Sequence, residues 1–233
     1  MKEYLKEGIK RIGVNLTEEM VDNLLKYLDL LVDYNSHTNL TAIRDSKDAI
    51  EKHFIDSLLL QNFIKSEDKT ALDIGTGAGF PGMVLAICNP NITFTLMDSV
   101  GKKTKFLEIV KETLNLENVN VVNARAEEFI NEENRESFSI GLCRGVSKLP
   151  TILEYMIPFI EVNGRFLVQK SNGTGEESEA QNALEILKSK IVEEKILKLP
   201  YCEDERKIII IVKAEATNRK YPRKTGLPLK RPL

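Results

Sequence analysis

ALDIGTGAGFPG, residues Ala71–Gly82, is an apolar run that ends in an acid, Asp73, and then breaks into four glycines within eight residues: Gly75, Gly77, Gly79 and Gly82. In an open α/β sheet, ligands bind where the first strand turns into the following helix. Glycines at such a turn permit positive φ and let a ligand approach the backbone closely. The helix beyond supplies unpaired amides and a partial positive charge. Two parsings stay open. Gly77, Gly79 and Gly82 match G-x-G-x-x-G, the dinucleotide fingerprint. Asp73, Gly75, Gly77 and Gly79 match D-x-G-x-G-x-G, in which a strand-end acid suits a ligand carrying a positive charge and an amine. S-adenosylmethionine is such a ligand; a pyrophosphate is not.

Outward from this loop the pattern is α/β. The runs TALDIG, ITFTLMD, VNVVNA, FSIGLCR, GRFLVQK and KIIIIVK alternate with helix candidates such as KKTKFLEIVKETLNL, EYMIPFIEVN and AQNALEILKSK. This predicts a Rossmann-like, mostly parallel seven-stranded sheet with helices on both faces. VEEKILKLP followed by KIIIIVK predicts an antiparallel hairpin at the far edge. Upstream, Val21, Leu24, Leu25, Leu28, Leu31 and Val32 mark one face of a helix, with Thr17 as its cap. A second helix is expected through DAIEKHFIDSLLL. The chain therefore divides into an N-terminal helical extension (1–65), an α/β domain (66–216) and a basic C-terminal tail (217–233).

With 233 residues, 42% apolar and 29% charged, the chain can bury a full core. It has no apolar run long enough to span a membrane and no secretion signal at its start, so the cytoplasm is the expected location. Cys88, Cys143 and Cys202 form no C-x-x-C pair and read as buried thiols; His37 and His53 lack metal-pair spacing, so no metal is expected. Net charge is only −2, yet the tail carries Arg219, Lys220, Arg223, Lys224, Lys230 and Arg231 and no acid. Set among prolines and glycine, these cations suit an extended arm for a polyanion.

Further acids follow the later strands. Asp98 closes ITFTLMD, where a carboxylate can accept both ribose hydroxyls of an adenosine in either cofactor class. Glu127 in NARAEEF stands where an acid can face an adenine amino group, or can simply open a helix.

YNSHTNLTAIRD, HFIDSLLL, LDIGTGAGFPGMVLAI, LMDSVGKKTKFL, ARAEEF, CRGVSKL, GRFLVQK and RKYPRKTGLPLKRPL together resemble the small-subunit ribosomal RNA guanine-N7 methyltransferases, also called glucose-inhibited division protein B. The likeness runs from about Gly8 to Leu233. It implies a class I S-adenosylmethionine-dependent methyltransferase domain that acts on 16S ribosomal RNA or the small subunit; a monomer is the default expectation. It implies that Gly75, Phe80, Ala126, Glu127 and Arg144 contact the cofactor, with Asp98 and Ser99 at the ribose. Asn35, Asn39 and Arg44 become candidates for RNA contact. Arg144-Gly145 and Lys170-Ser171 stand where the family usually has Arg-Ala and Lys-Gly, and neither change removes a charged group; in the tail, Thr225 replaces a proline common before Gly226. Guanine N7 carries a lone pair and no proton, so no general base is expected, and Arg144 is the candidate for positioning substrate. Two other readings are a nicotinamide-dependent reductase and a non-catalytic RNA-binding assembly factor.

Overall fold

The computed structural model describes residues 1–173 and 175–233. Helix α1 (Lys2–Arg11) leads into α2 (Glu18–Thr38). The Thr17 hydroxyl accepts from the Met20 amide at 3.2 Å, and Asn39 closes the helix in the left-handed conformation. Val21, Leu24, Leu28 and Leu31 are buried, but Val32 is 42% exposed, so the buried face is narrower than the sequence pattern implies.

The expected second helix is not uniform. It runs as α3 (Ser46–Ala49), a π-helical stretch Ile50–Ile55 and α4 (Asp56–Leu58). Such stretches frequently mark functional positions, and this one carries His53.

Strands and helices then alternate: β1 (Thr70–Ile74), α5 (Gly82–Cys88), β2 (Thr93–Met97), α6 (Gly101–Thr113), β3 (Val119–Val122), α7 (Ala126–Phe129), β4 (Phe138–Arg144), α8 (Leu149–Met156) and β5 (Ile160–Ser171). After these come α9 (Gln181–Ile186), β6 (Ser189–Lys198), β7 (Glu205–Lys213) and α10 (Leu227–Lys230). The sheet order is β3-β2-β1-β4-β5-β7-β6. The first five strands pair in parallel, while β7 is antiparallel to both β5 and β6, which is the predicted edge hairpin. EYMIPFIEVN is not one helix. Pro158 lies in a 3-10 turn after Met156, and β5 begins at Ile160; a proline cannot donate the amide that a longer helix needs.

Period-2 alternation divides the core between the two faces of the sheet. Ile208 and Ile210 join a cluster with the N-terminal helices, α5 and α6; Ile209 and Ile211 join another with α8 and α9. The N-terminal extension thus shares its apolar core with one face of the sheet. Cys88 and Cys143 are buried as expected, whereas Cys202 is exposed. Among the described residues no helix is long and apolar enough to cross a membrane.

Candidate functional site

A cleft of about 370 Å³ opens at the carboxyl ends of β1, β2 and β4, within the size range of small-ligand sites. The turn after β1 can form because Gly75 (φ +69) and Gly77 (φ +65) adopt the left-handed region. Gly75 lies against Val146 across the cleft. At Gly77 an added Cβ would meet nothing within 4 Å, which leaves its backbone open to a ligand.

Asp98 ties this turn to the end of β2. Its Oδ2 accepts from the Gly77 amide at 2.9 Å and lies 3.5 Å from Lys103 Nζ, while Oδ1 accepts from Val100 N at 2.9 Å. Each carboxylate oxygen has a second lone pair, so Asp98 can still accept from a ligand hydroxyl on the cleft side. Glu127 lines the opposite wall.

Asp73 ties the end of β1 to the start of α5. It is fully buried, and its Oδ2 accepts from the Gly82 amide at the start of α5 at 2.8 Å. In the dinucleotide parsing a pyrophosphate would approach the second glycine, Gly79, whose Cβ side is filled here by the Tyr27 hydroxyl and Met83. Burial pushes the carboxyl up to about 7, against the lowering influence of the Thr76 hydroxyl and the Gly82 amide. Asp73 Oδ1 and Thr76 Oγ1 lie outside hydrogen-bond geometry with any described group. The amide is occupied in either protonation state.

Behind the loop, the N-terminal extension supports it directly. Tyr27 of α2 is fully buried, and its hydroxyl donates to the Ala78 carbonyl. Its ring stacks on Phe80 at 5.5 Å. Tyr27→Phe removes the donor and leaves a buried carbonyl unsatisfied, a loss of about 1–3 kcal/mol. We expect a lower urea midpoint together with weaker binding of S-adenosylhomocysteine; wild-type values for both would refute this support.

His53 stacks on the other side of Phe80, 4.5 Å between ring centroids. Arg144 Nη2 lies 3.3 Å from His53 Nδ1, and Thr41 Oγ1 lies 2.8 Å from Nε2. A guanidinium can only donate, which assigns the neutral ring with its proton on Nε2. Burial, reinforced by the Arg144 charge, holds this imidazole down at about 3. The unfolded chain therefore takes up the proton first, near pH 6.5. The stabilisation is complete above that pH and is lost as pH falls toward 3. Asp73 runs the other way: its raised value gives stability that is present below about pH 4 and is lost as pH rises to 7. Comparison with His53→Gln isolates the histidine. Between pH 7 and 4.5 the wild type should lose on the order of 2–3 kcal/mol more than the variant in urea unfolding; parallel curves would contradict a neutral buried ring.

The rRNA small subunit methyltransferase G family model matches residues 20–209. Relatives of that name from Fusobacterium nucleatum and Acetivibrio thermocellus are 60% and 43% identical to this chain, each over all of it, and over 100% and 97% of their own lengths. The chain belongs to the rRNA small subunit methyltransferase G family. Among solved structures, a SAM-dependent methyltransferase from Aquifex aeolicus aligns with a TM-score of 0.54 at 16% identity, covering 71% of this chain and 93% of its own. That likeness shows the fold, which is the class I methyltransferase fold.

In this family member the structure brings Gly75, Asp98, Ser99, Ala126 and Glu127 to one cleft. It does not bring Asp73, Gly77, Gly79, Phe80 or Arg144 into that lining. Gly79 packs against Tyr27, and the Phe80 ring is enclosed by Tyr27, His53 and Phe54. Arg144 turns away and donates to Asp56 Oδ2 at 2.8 Å and to the Lys52 carbonyl at 3.0 Å. Asn35 is buried as well, so it is not a surface contact. Its side chain donates to the Thr41 carbonyl at 3.0 Å and accepts from Leu40 N at 2.7 Å and Thr41 N at 3.0 Å, which shapes the loop carrying NLTAIR. Asn39 and Arg44 are exposed and bonded to each other at 2.5 Å. Arg125, Val146, Tyr155 and Leu229 line the cleft without having been singled out. Val146 lies in the CRGVSKL block, but a lone valine there carries no charge or spacing that marks it.

The tail is not an extended arm. Leu227–Lys230 is helical, Tyr221 and Pro228 are buried, and Arg219 and Arg223 are ion-paired with Glu132 and Glu154. Lys220, Lys224, Lys230 and Arg231 remain exposed.

Proposed function

We propose that this chain transfers a methyl group from S-adenosylmethionine to N7 of a guanine in 16S ribosomal RNA, acting as a monomer in the cytoplasm. The observation that carries the cofactor class is Gly79 packed under Tyr27 and Met83, which fill the side from which the dinucleotide parsing would need a pyrophosphate to approach. The remaining polar set fits a nucleoside with an amine: the carboxylates of Asp98 and Glu127 line one cleft beside the glycine turn.

When bound, the cofactor supplies an electrophilic methyl on a sulfonium. The residues of this chain hold and orient. Gly75 and Gly77 accommodate the methionine part, Asp98 with Ser99 accepts ribose hydroxyls, and Ala126 with Glu127 faces the base. Because N7 bears no proton, the site requires no general base, and orienting the two reactants is enough to lower a displacement barrier by up to about 7–11 kcal/mol. Arg144 acts through position, fixing the helix that carries His53 against β4. Lys220, Lys224, Lys230, Arg231 and the Asn39–Arg44 pair contact RNA, chiefly at phosphates.

Mass spectrometry of 16S RNA from cells with and without the gene tests this. Loss of one N7-methylguanine on deletion is expected; an unchanged methylation profile would overturn the assignment and favour a non-catalytic assembly role.

A further inference from the structure

The C-terminal segment meets the cleft from the side opposite the glycine turn. Its anchor is Arg223, which donates to buried Glu154 through Nε at 2.8 Å, Nη2 at 2.6 Å and its backbone amide at 2.8 Å. Glu154 is completely buried in α8, beside the cleft residue Tyr155. Beyond the anchor the chain turns at Gly226 (φ +79), whose amide donates to Glu127 Oε1 at 2.9 Å. Thr225 Oγ1 approaches Glu128 Oε1 at 3.2 Å, and the Pro228 carbonyl accepts from Thr151 Oγ1 at 3.3 Å. The segment thereby joins α7 to α8. It also places Leu229 on the cleft wall while leaving that side chain 61% exposed.

An apolar side chain held over a ligand cleft by a buried ion pair has a function that an RNA-binding tail would not require. We propose that residues 223–229 are a wall of the cofactor site, with Gly226 positioning the Glu127 carboxylate and Leu229 covering the bound nucleoside, so that cofactor binding and docking of this segment reinforce each other. This rests on the cofactor reading above. The strap fixes Glu127 through Oε1, so releasing it frees a carboxylate that must be re-ordered on binding. Reciprocity then requires that a bound ligand hold the segment more tightly. The sequence pattern alone points this segment at a polyanion.

The test uses the full chain and S-adenosylhomocysteine, in two measurements. By calorimetry, Arg223→Ala and Leu229→Ala should each weaken binding about tenfold, whereas Lys190→Ala, an exposed cation on the edge strand β6 away from this segment, should bind as wild type does. Leu229 is largely exposed, so its truncation leaves the fold intact even if Arg223→Ala loosens α8. By limited trypsin digestion, saturating S-adenosylhomocysteine should slow cleavage after Lys224 about tenfold in the wild type. Unchanged affinity in both wall variants, with ligand-independent cleavage, would overturn the coupling while leaving the cofactor assignment standing. A wild-type chain that does not bind S-adenosylhomocysteine would overturn both.

Discussion

Asp56→Ala is expected to lower the stability of the chain by about 3–5 kcal/mol, the cost typical of breaking a buried ion pair by removing one partner. Asp56 is 3% exposed and serves three elements at once. Its Oδ2 accepts from Arg144 on β4 at 2.8 Å; its Oδ1 accepts from Arg206 Nε on β7 at 3.0 Å and from Gln169 Nε2 on β5 at 2.7 Å. Burial pushes the carboxyl up, and the two guanidiniums pull it back toward the ionised form. Alanine leaves two largely buried cations and an amide without their acceptor. Asp56→Asn keeps the shape and one acceptor oxygen, so it should fall between alanine and wild type. Urea unfolding measures the series; an alanine variant within about 1 kcal/mol of wild type would mean that water replaces the carboxylate.

Gly75→Ala should reduce affinity for S-adenosylhomocysteine by at least about tenfold, for two additive reasons. At φ +69 an L side chain costs roughly 1–2 kcal/mol. The new Cβ would also lie 2.5 Å from Val146 Cγ2, so the two walls of the cleft must separate. Gly13→Ala supplies the control. Gly13 has φ +72 in the turn between α1 and α2, with nothing within 4 Å of an added Cβ. It should show the backbone cost as lost stability and bind the ligand normally. Wild-type affinity in Gly75→Ala would show that Val146 yields freely and that the loop is not a tight cradle.

The sheet and its order of elements were legible because alternation is a local signal, as Ile208 to Ile211 show by dividing between the two faces. The cleft was half legible. Asp98 follows β2 and Glu127 lies in the first turn of the helix after β3, where topology alone brings them to one crevice. Asp73 and Arg144 stand at equivalent ends but turn inward, because a side chain's direction depends on which partner reaches it first: the Gly82 amide for one, Asp56 for the other. Leu229 and Tyr27 left no pattern to read. Each acts across a long sequence separation on a surface that exists only after folding, and a lone leucine or tyrosine carries no charge or spacing to flag it. The tail cations misled in the opposite sense, since Arg223 is a structural anchor whose acid lies 69 residues upstream.

Helix α2 has a consequence for synthesis. It emerges from the ribosome early, yet its buried stripe packs on α5 and α6, which end at Cys88 and Thr113. At about 5–20 residues per second, translation leaves that stripe without a partner for several seconds. Leu24 and Tyr27, fully enclosed in the finished protein, are then exposed on the nascent chain and open to a chaperone. Ribosome-stalled chains ending before α6 should accordingly bind a hydrophobic dye or chaperone, and chains extended well past it should not; equal binding at both lengths would mean that α1 and α2 shelter each other unaided.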